Sequence, residues 1–254
     1  VYEYCNFNEL FEYSEIKDRI KSEDTFDYFQ LNPIKTYKTI IINSEEEIPT
    51  DWYYGLEITL KKYSSKTIFN ISSSCIIFNA INCNNLKSFI GGKNCKHMNF
   101  TSSGLFGKVN IPSKCKKIDA KGCKKLYRFT GGGNCEYMDF RYSGLSGEVN
   151  IPSKCKYFTG SYCKNLTGFT GGENCEKMDF TYSGLFDEVN IPSKCKKFIG
   201  RFCKNLTGFI GGENCEEMDF ACSGLFGKII VPLNCKKFYA EKCKNLDKFT
   251  GGEN

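Results

Sequence analysis

CEKMDFTYSGLFDEVNIPSK, residues 175–194, is followed by CKKFIGRFCKNLTGFIGGEN, residues 195–214, and these two twenty-residue phrases decide the fold. Each opens on cysteine, and the first recurs forty residues away, since Cys95, Cys135, Cys175 and Cys215 match, as do Met98, Met138, Met178 and Met218. Five Gly-Gly pairs, from Gly91-Gly92 to Gly251-Gly252, keep the same period. Within each forty lie two related twenties, because Cys75, Cys95, Cys115, Cys135, Cys155, Cys175, Cys195, Cys215 and Cys235 form an unbroken series. Fixed self-similarity of this length is the mark of a repeat architecture, so the structural unit is a rung of twenty residues in two alternating kinds.

With each cysteine as position zero, the first kind has apolar residues at three and five, serine at eight, leucine at ten, apolar residues at fourteen and sixteen, then proline. Met178, Phe180, Ser183, Leu185, Val189, Ile191 and Pro192 show it. The second kind has an apolar residue at three, a mostly small one at five, cysteine at eight, leucine at eleven, an aromatic at fourteen, then Gly-Gly, as in Phe198, Gly200, Cys203, Leu206, Phe209 and Gly211-Gly212. Apolar residues at three and five have the two-residue period of a strand. A short strand returning every twenty residues places each copy beside the last in a parallel sheet.

The pattern resembles the leucine-rich repeat, L-x-x-L-x-L-x-x-N/C-x-L, in a short version with Ser or Cys at the Asn position. That resemblance implies a repeat solenoid: a leucine-rich-repeat horseshoe with its parallel sheet on the concave face, mostly β plus turns, with position eight turned inward to hydrogen-bond the bend. Asn150-Ile151-Pro152-Ser153-Lys154-Cys155 also resembles the BspA-like surface repeats of bacteria and anaerobic protists, although those units are longer and carry an Ala-Phe pair missing here.

The rungs are expected over residues 35–254, about eleven in all. Residues 1–34 fit them poorly; Phe7, Leu10, Phe11, Ile16 and Ile20 have helical spacing, and Thr25, Phe26 and Phe29 begin a second short helix. A helical N-terminal cap is expected there, because a solenoid end otherwise exposes an apolar cross-section. The chain stops at Gly251-Gly252-Glu253-Asn254, one residue short of the next cysteine of the series, so the array reads as C-terminally incomplete.

Composition narrows the classes of function. The chain has 254 residues, 41% hydrophobic and 25% charged, which is ordinary for a globular protein, and no run of eighteen apolar residues. A net charge of +6 from 35 basic and 29 acidic residues is too balanced to announce a nucleic-acid partner. No signal-like order opens the chain, but a chain that begins at Val1 says little on this point. Sixteen cysteines would suggest disulfides in a short secreted chain. Here fourteen of them fall in the position-zero and position-eight columns and read as small buried side chains without preferred pairing. Single-file columns do not form the close pairs that a structural zinc site needs. Cys5 and Cys222 remain, and Cys222 at position seven is expected near the surface.

In a solenoid, positions that vary between copies are free for a ligand. The outward strand positions are expected to be two, four, six and seven. At seven, Tyr142, Tyr162, Tyr182 and Phe202 form an aromatic stripe, with Tyr137 and Tyr157 at two, Ile199 and Tyr239 at four, and Arg141 and Arg201 at six. Exposed Tyr beside Arg is the composition of a protein-binding hot spot; alternatively the rings roll under the sheet edge and stack as a structural ladder. Asn99, Asp139, Asp179 and Asp219 at position four read as a solvated face. Position one alternates in sign, Glu136, Lys156, Glu176, Lys196, Glu216, Lys236, which places opposite charges on adjacent rungs. The single histidine, His97, has no repeated partner, and the Gly-Gly pairs sit at turns and not in a phosphate loop. Glycosylation sequons occur at Asn70, Asn99, Asn165 and Asn205.

These features point to a non-catalytic recognition module that binds a protein, with a surface glycan as second choice, and to no nucleic acid, metal or small-molecule cofactor. Two other readings stand beside it: the substrate-recognition half of a longer enzyme, since short repeats also occur in bacterial effector ubiquitin ligases, and a self-associating array. The compartment is left open, reduced cysteine columns pointing to the cytoplasm and the BspA-like resemblance to the cell surface.

Overall fold

The computed structural model describes residues 2, 3, 39–42, 57–60, 68–71, 73 and 75–252. Among them every regular element is a β-strand. One sheet of twelve strands runs the length of the molecule. It is parallel throughout except at its first pair, where Tyr2–Glu3 lies antiparallel to Thr39–Ile42. These two residues are the part of the expected cap that is described, and they are strand; the helices expected at 7–20 and 25–29 lie outside the described residues.

From Glu57–Leu60 onward each three- or four-residue strand pairs with the strand twenty residues later, as in Tyr137↔Tyr157, Met138↔Phe158 and Asp139↔Thr159. Position three points inward and is at most 2% exposed from Phe78 to Met218. The two kinds of rung share the interior by volume: where position three is Met, position five is Phe, and where three is Phe, five is Ala or Gly. A Cβ on Gly160 would lie 2.5 Å from Leu166 Cδ2, which is why that rung carries glycine. From Phe140 to Phe238 the phenylalanines form a continuous file through the core, with centroids 5.6 Å apart between Phe158 and Phe180 and 5.8 Å between Phe180 and Phe198. Each such side chain contributes about 2–3 kcal/mol by burial.

The opposite wall obeys the forty-residue period and not the twenty. Its strands pair in twos, Phe106–Ile111 with Lys125–Gly131, Ser146–Ile151 with Asn165–Gly171, Phe186–Ile191 with Asn205–Gly211, and Phe226–Val231 with Asn245–Gly251. Leucine stands at position ten in the first kind and eleven in the second, and a register shift between Leu126 and Arg128 restores the alignment. The Gly-Gly pair closes each ladder. Gly131 has φ +76°, and a Cβ there would stand 2.2 Å from the Ile111 carbonyl oxygen. The next amide, Gly132 N–H, donates to that same oxygen at 2.9 Å.

Candidate functional site

The bend after each strand of the long sheet is built from positions four to eight. At position eight, Ser143 N–H donates to the Phe140 carbonyl at 3.0 Å, and the Cys163 thiol of the next rung donates to the same oxygen at 3.1 Å. Ser143 Oγ and Cys163 Sγ lie 3.3 Å apart, and the arrangement repeats at Ser183 and Cys203. Position eight thus turns inward and satisfies the bend, the role that a leucine-rich repeat gives to its Asn or Cys. The chain folds as a parallel β-solenoid of twenty-residue rungs, consistent with leucine-rich-repeat-type units.

No family model matches the chain, and no curated protein matches it. Among solved structures, a leucine-rich repeat protein from Bacteroides ovatus ATCC 8483 is similar over 79% of this chain and 77% of that one, at 14% identity and a TM-score of 0.36.

The position-zero cysteines of this array are free and at most 3% exposed. In one kind of rung the thiol donates to the carbonyl two residues on, Cys115 to Lys117 at 3.2 Å and Cys195 to Lys197 at 3.3 Å. In the other kind the thiol of the preceding rung, Cys115 for Cys135 and Cys195 for Cys215, acts together with burial to hold Cys135 and Cys215 above the usual thiol range. The single-file sequence pattern could not show this, because the choice depends on which backbone oxygen each rung leaves within reach. Among the described residues no group of three His, Cys, Asp or Glu could hold a metal ion. No helix there is long and apolar enough to cross a membrane.

Position four is not the solvated acidic face expected. Asp139 is 1% exposed, and its Oδ1 accepts the Arg141 amide at 3.0 Å. Asp179 and Asp219 accept the amides of Thr181 and Ala221 in the same way, at 2.9 and 3.0 Å. A side-chain oxygen bonding its own backbone two residues on is the turn-forming habit of Asp and Asn. The row therefore caps the bend. Asn99 does likewise for Thr101, which engages that sequon's side chain, whereas Asn70, Asn165 and Asn205 are exposed. Position six is mixed, with Ser161 and Ala221 buried and Arg201 exposed.

Position seven is not on the strand at all. In every rung from Asn82 to Lys242 it has left-handed backbone, φ between 55° and 75°. That conformation strains any residue with a Cβ, and bulky residues adopt it only where the surroundings impose it. Tyr142, Tyr162, Tyr182 and Phe202 adopt it and stack, with centroids 4.3, 5.1 and 4.2 Å apart. The two readings of this stripe are compatible: the rings form a ladder, and yet the three tyrosines are 46%, 38% and 40% exposed. The neighbouring Tyr142 side chain raises the Tyr162 hydroxyl above its ordinary value.

Around the ladder, Tyr157 is exposed and Tyr137 half-buried, with centroids 6.4 Å apart, and the Lys117 ammonium lies 5.0 Å from the Tyr137 ring centre. Arg201 lies over Phe202 at 5.4 Å and 3.7 Å from Asp219. At position four Ile199 is half-buried and Tyr239 is 37% exposed, on strands separated by Glu217–Asp219.

A second feature, which the sequence reading passed over, is a groove of about 790 Å³ along the opposite edge of the long sheet, lined by Glu136, Lys156, Glu176, Lys196 and neighbouring Asn and Lys residues. Asn134 and Asn174 donate to the carbonyls of Ser113 and Ser153 one rung back, at 2.6 Å each. Glu136 bridges Lys116 and Lys156 at 3.4 and 3.3 Å, which holds its carboxyl below the usual glutamate range. The alternating charges therefore tie one rung to the next, and largely occupy one another.

Proposed function

We propose that this solenoid is a non-catalytic recognition module, and that it binds a protein partner on the long sheet and the aromatic ladder at its bend. The observation that supports the reading is the ladder itself. Four bulky rings stand in strained left-handed backbone, at positions where Ser102 and Gly122 serve other rungs equally well for the fold, and they leave Tyr edges and hydroxyls in solvent. Large rigid aromatic area beside guanidinium groups is what interface hot spots are made of. Tyr137, Arg141, Tyr142, Tyr157, Tyr162, Tyr182, Ile199, Arg201, Phe202 and Tyr239 are the residues assigned to this surface.

The test is affinity capture from host and own-cell lysates with the wild-type chain beside a variant carrying Tyr142→Ser, Tyr162→Ser, Tyr182→Ser and Phe202→Ser, once circular dichroism shows both folded. A partner held by the first and lost by the second supports the reading. Identical partners on both would confine the ladder to a structural role. Retention of oligosaccharides and not proteins would replace the protein by a glycan.

A further inference from the structure

The position-seven column is stacked along only part of its length. Ser102, Gly122 and Tyr142 occupy it in three successive rungs, all with left-handed backbone at φ 55°, 75° and 58°. One side of the Tyr142 ring packs on Tyr162; the other looks along the column toward Gly122, which has no side chain. A Cβ added at Gly122 would have atoms of Ser102, at 3.1 to 3.6 Å, as its three nearest neighbours, while the ring contact of Tyr142 is made on its other side, with Tyr162. Adjacent strands are spaced at about 4.8 Å, so the column offers about 9.6 Å between Ser102 and Tyr142. That is room for one ring at the separation the ladder already uses. Tyr142 is accordingly the most exposed of the three stacked tyrosines.

We infer that the gap over Gly122 is a docking position for a single aromatic side chain of a protein partner, which stacks on the open face of Tyr142 and becomes the fifth ring of the ladder. The inference rests on the protein-binding reading above and names the chemistry of its anchor. The surroundings select among flat groups. Arg141, which adjoins Tyr142, already occupies the Asp139 carboxylate, and Lys121 adjoins Gly122 in the chain, so a guanidinium guest gains no acidic partner from these residues. A sugar ring needs donors and acceptors for its hydroxyls. The Gly122 and Ser102 amides are already spent, on the carbonyls of Arg141 at 2.8 Å and Lys121 at 2.7 Å. A phenyl or indole ring asks for neither; it needs an open π face at stacking distance.

The test uses N-acetyl-L-tryptophanamide as probe, titrated into isotope-labelled protein while the Gly122 amide and the Tyr142 ring are followed by nuclear magnetic resonance. N-acetyl-L-leucinamide and methyl β-glucoside serve as comparison ligands. Saturable shifts centred on those two residues are expected, at least ten-fold weaker with leucinamide and with glucoside. Gly122→Tyr should abolish them by filling the gap, in a backbone conformation that Tyr142 and Tyr162 already hold at φ 58° and 63°. Tyr142→Ser removes the platform from the other side and should abolish them too. Shifts of equal size with leucinamide, preference for glucoside, survival of binding in both variants, or no saturable shift at either residue would each overturn the inference. In the lysate experiment, a partner that is lost by the four-residue ladder variant but kept by Gly122→Tyr removes this docking position and leaves the wider face standing.

Discussion

Arg141 closes on Asp139 two residues before it, Nη2 to Oδ2 at 2.6 Å and Nε to both carboxylate oxygens at 3.0 Å, while the backbone amide of Arg141 donates to Oδ1 at the same distance. The carboxylate is 1% exposed, and the bond to it raises the guanidinium above its ordinary pKa. One buried group thus caps the bend and fixes the orientation of a side chain on the proposed binding face. Asp139→Ala is expected to cost about 2 kcal/mol, because it leaves the amide and guanidinium hydrogens of Arg141 without their acceptor. Asp139→Asn keeps an oxygen for the amide and should restore about half of that. Urea unfolding of the three proteins measures the difference, and equal midpoints for Ala and Asn would show that the cap is not the main contribution.

Two neighbouring glycines should respond in opposite ways. At Gly131 a methyl group meets the Ile111 carbonyl and the backbone is left-handed, so Gly131→Ala is expected to lose about 3 kcal/mol. At Gly133 nothing lies within 4 Å of an added Cβ, and Gly133→Ala should change stability by less than about 0.5 kcal/mol. Thermal melts decide it; similar losses at both sites would mean that the closing hydrogen bond does not set the ladder geometry.

The thiols should divide by reactivity. Cys163 and Cys203 are fully buried, and burial, partly offset by the serine beside each, raises their pKa. Cys222 is half-exposed at the bend. In a background of Cys5→Ser and Cys243→Ser, the second because the last-rung thiol is half-exposed too, Cys222 is expected to account for the fast phase of labelling by an aromatic disulfide at pH 8, and Cys222→Ala to remove it. The column thiols should react only on unfolding. The sign for stability follows from the raised values: what Cys163 and Cys203 contribute is intact below the unfolded thiol pKa of about 8.5 and is lost as pH rises through the folded values. Rapid labelling of several column thiols in native buffer would contradict this.

How much of this was legible depended on whether the determinant was periodic. The columns of Cys75 to Cys235, Met98 to Met218 and Leu105 to Leu225 fixed the rung, the parallel register and the core, since each is a choice of volume repeated at one spacing. The assignment of faces was less legible. Asp139 was assigned to solvent because alternation places position four outward, but a carboxylate two residues before a bend finds its own backbone first. Tyr142 reads as an outward strand position because position seven varies between copies; its left-handed conformation leaves no mark in a column that also holds Ser102, Gly122 and Cys222. The ladder's stacking and its exposure were posed as alternatives, and at rung spacing the two coexist.

The two-strand ladders of the outer wall set the molecule's unit of length. From Phe106–Ile111 onward each joins a rung ending in proline to a following rung ending in Gly-Gly, as Ile111-Pro112 is joined to Gly131-Gly132. Lengthening or shortening the array by forty residues preserves every such joint. A change of twenty would set two proline rungs, or two glycine rungs, side by side, and the wall would lose a closing amide or gain a carbonyl with nothing to receive. The solenoid is periodic in rungs on the face proposed for a partner, and in couples on the face that decides how the chain can grow.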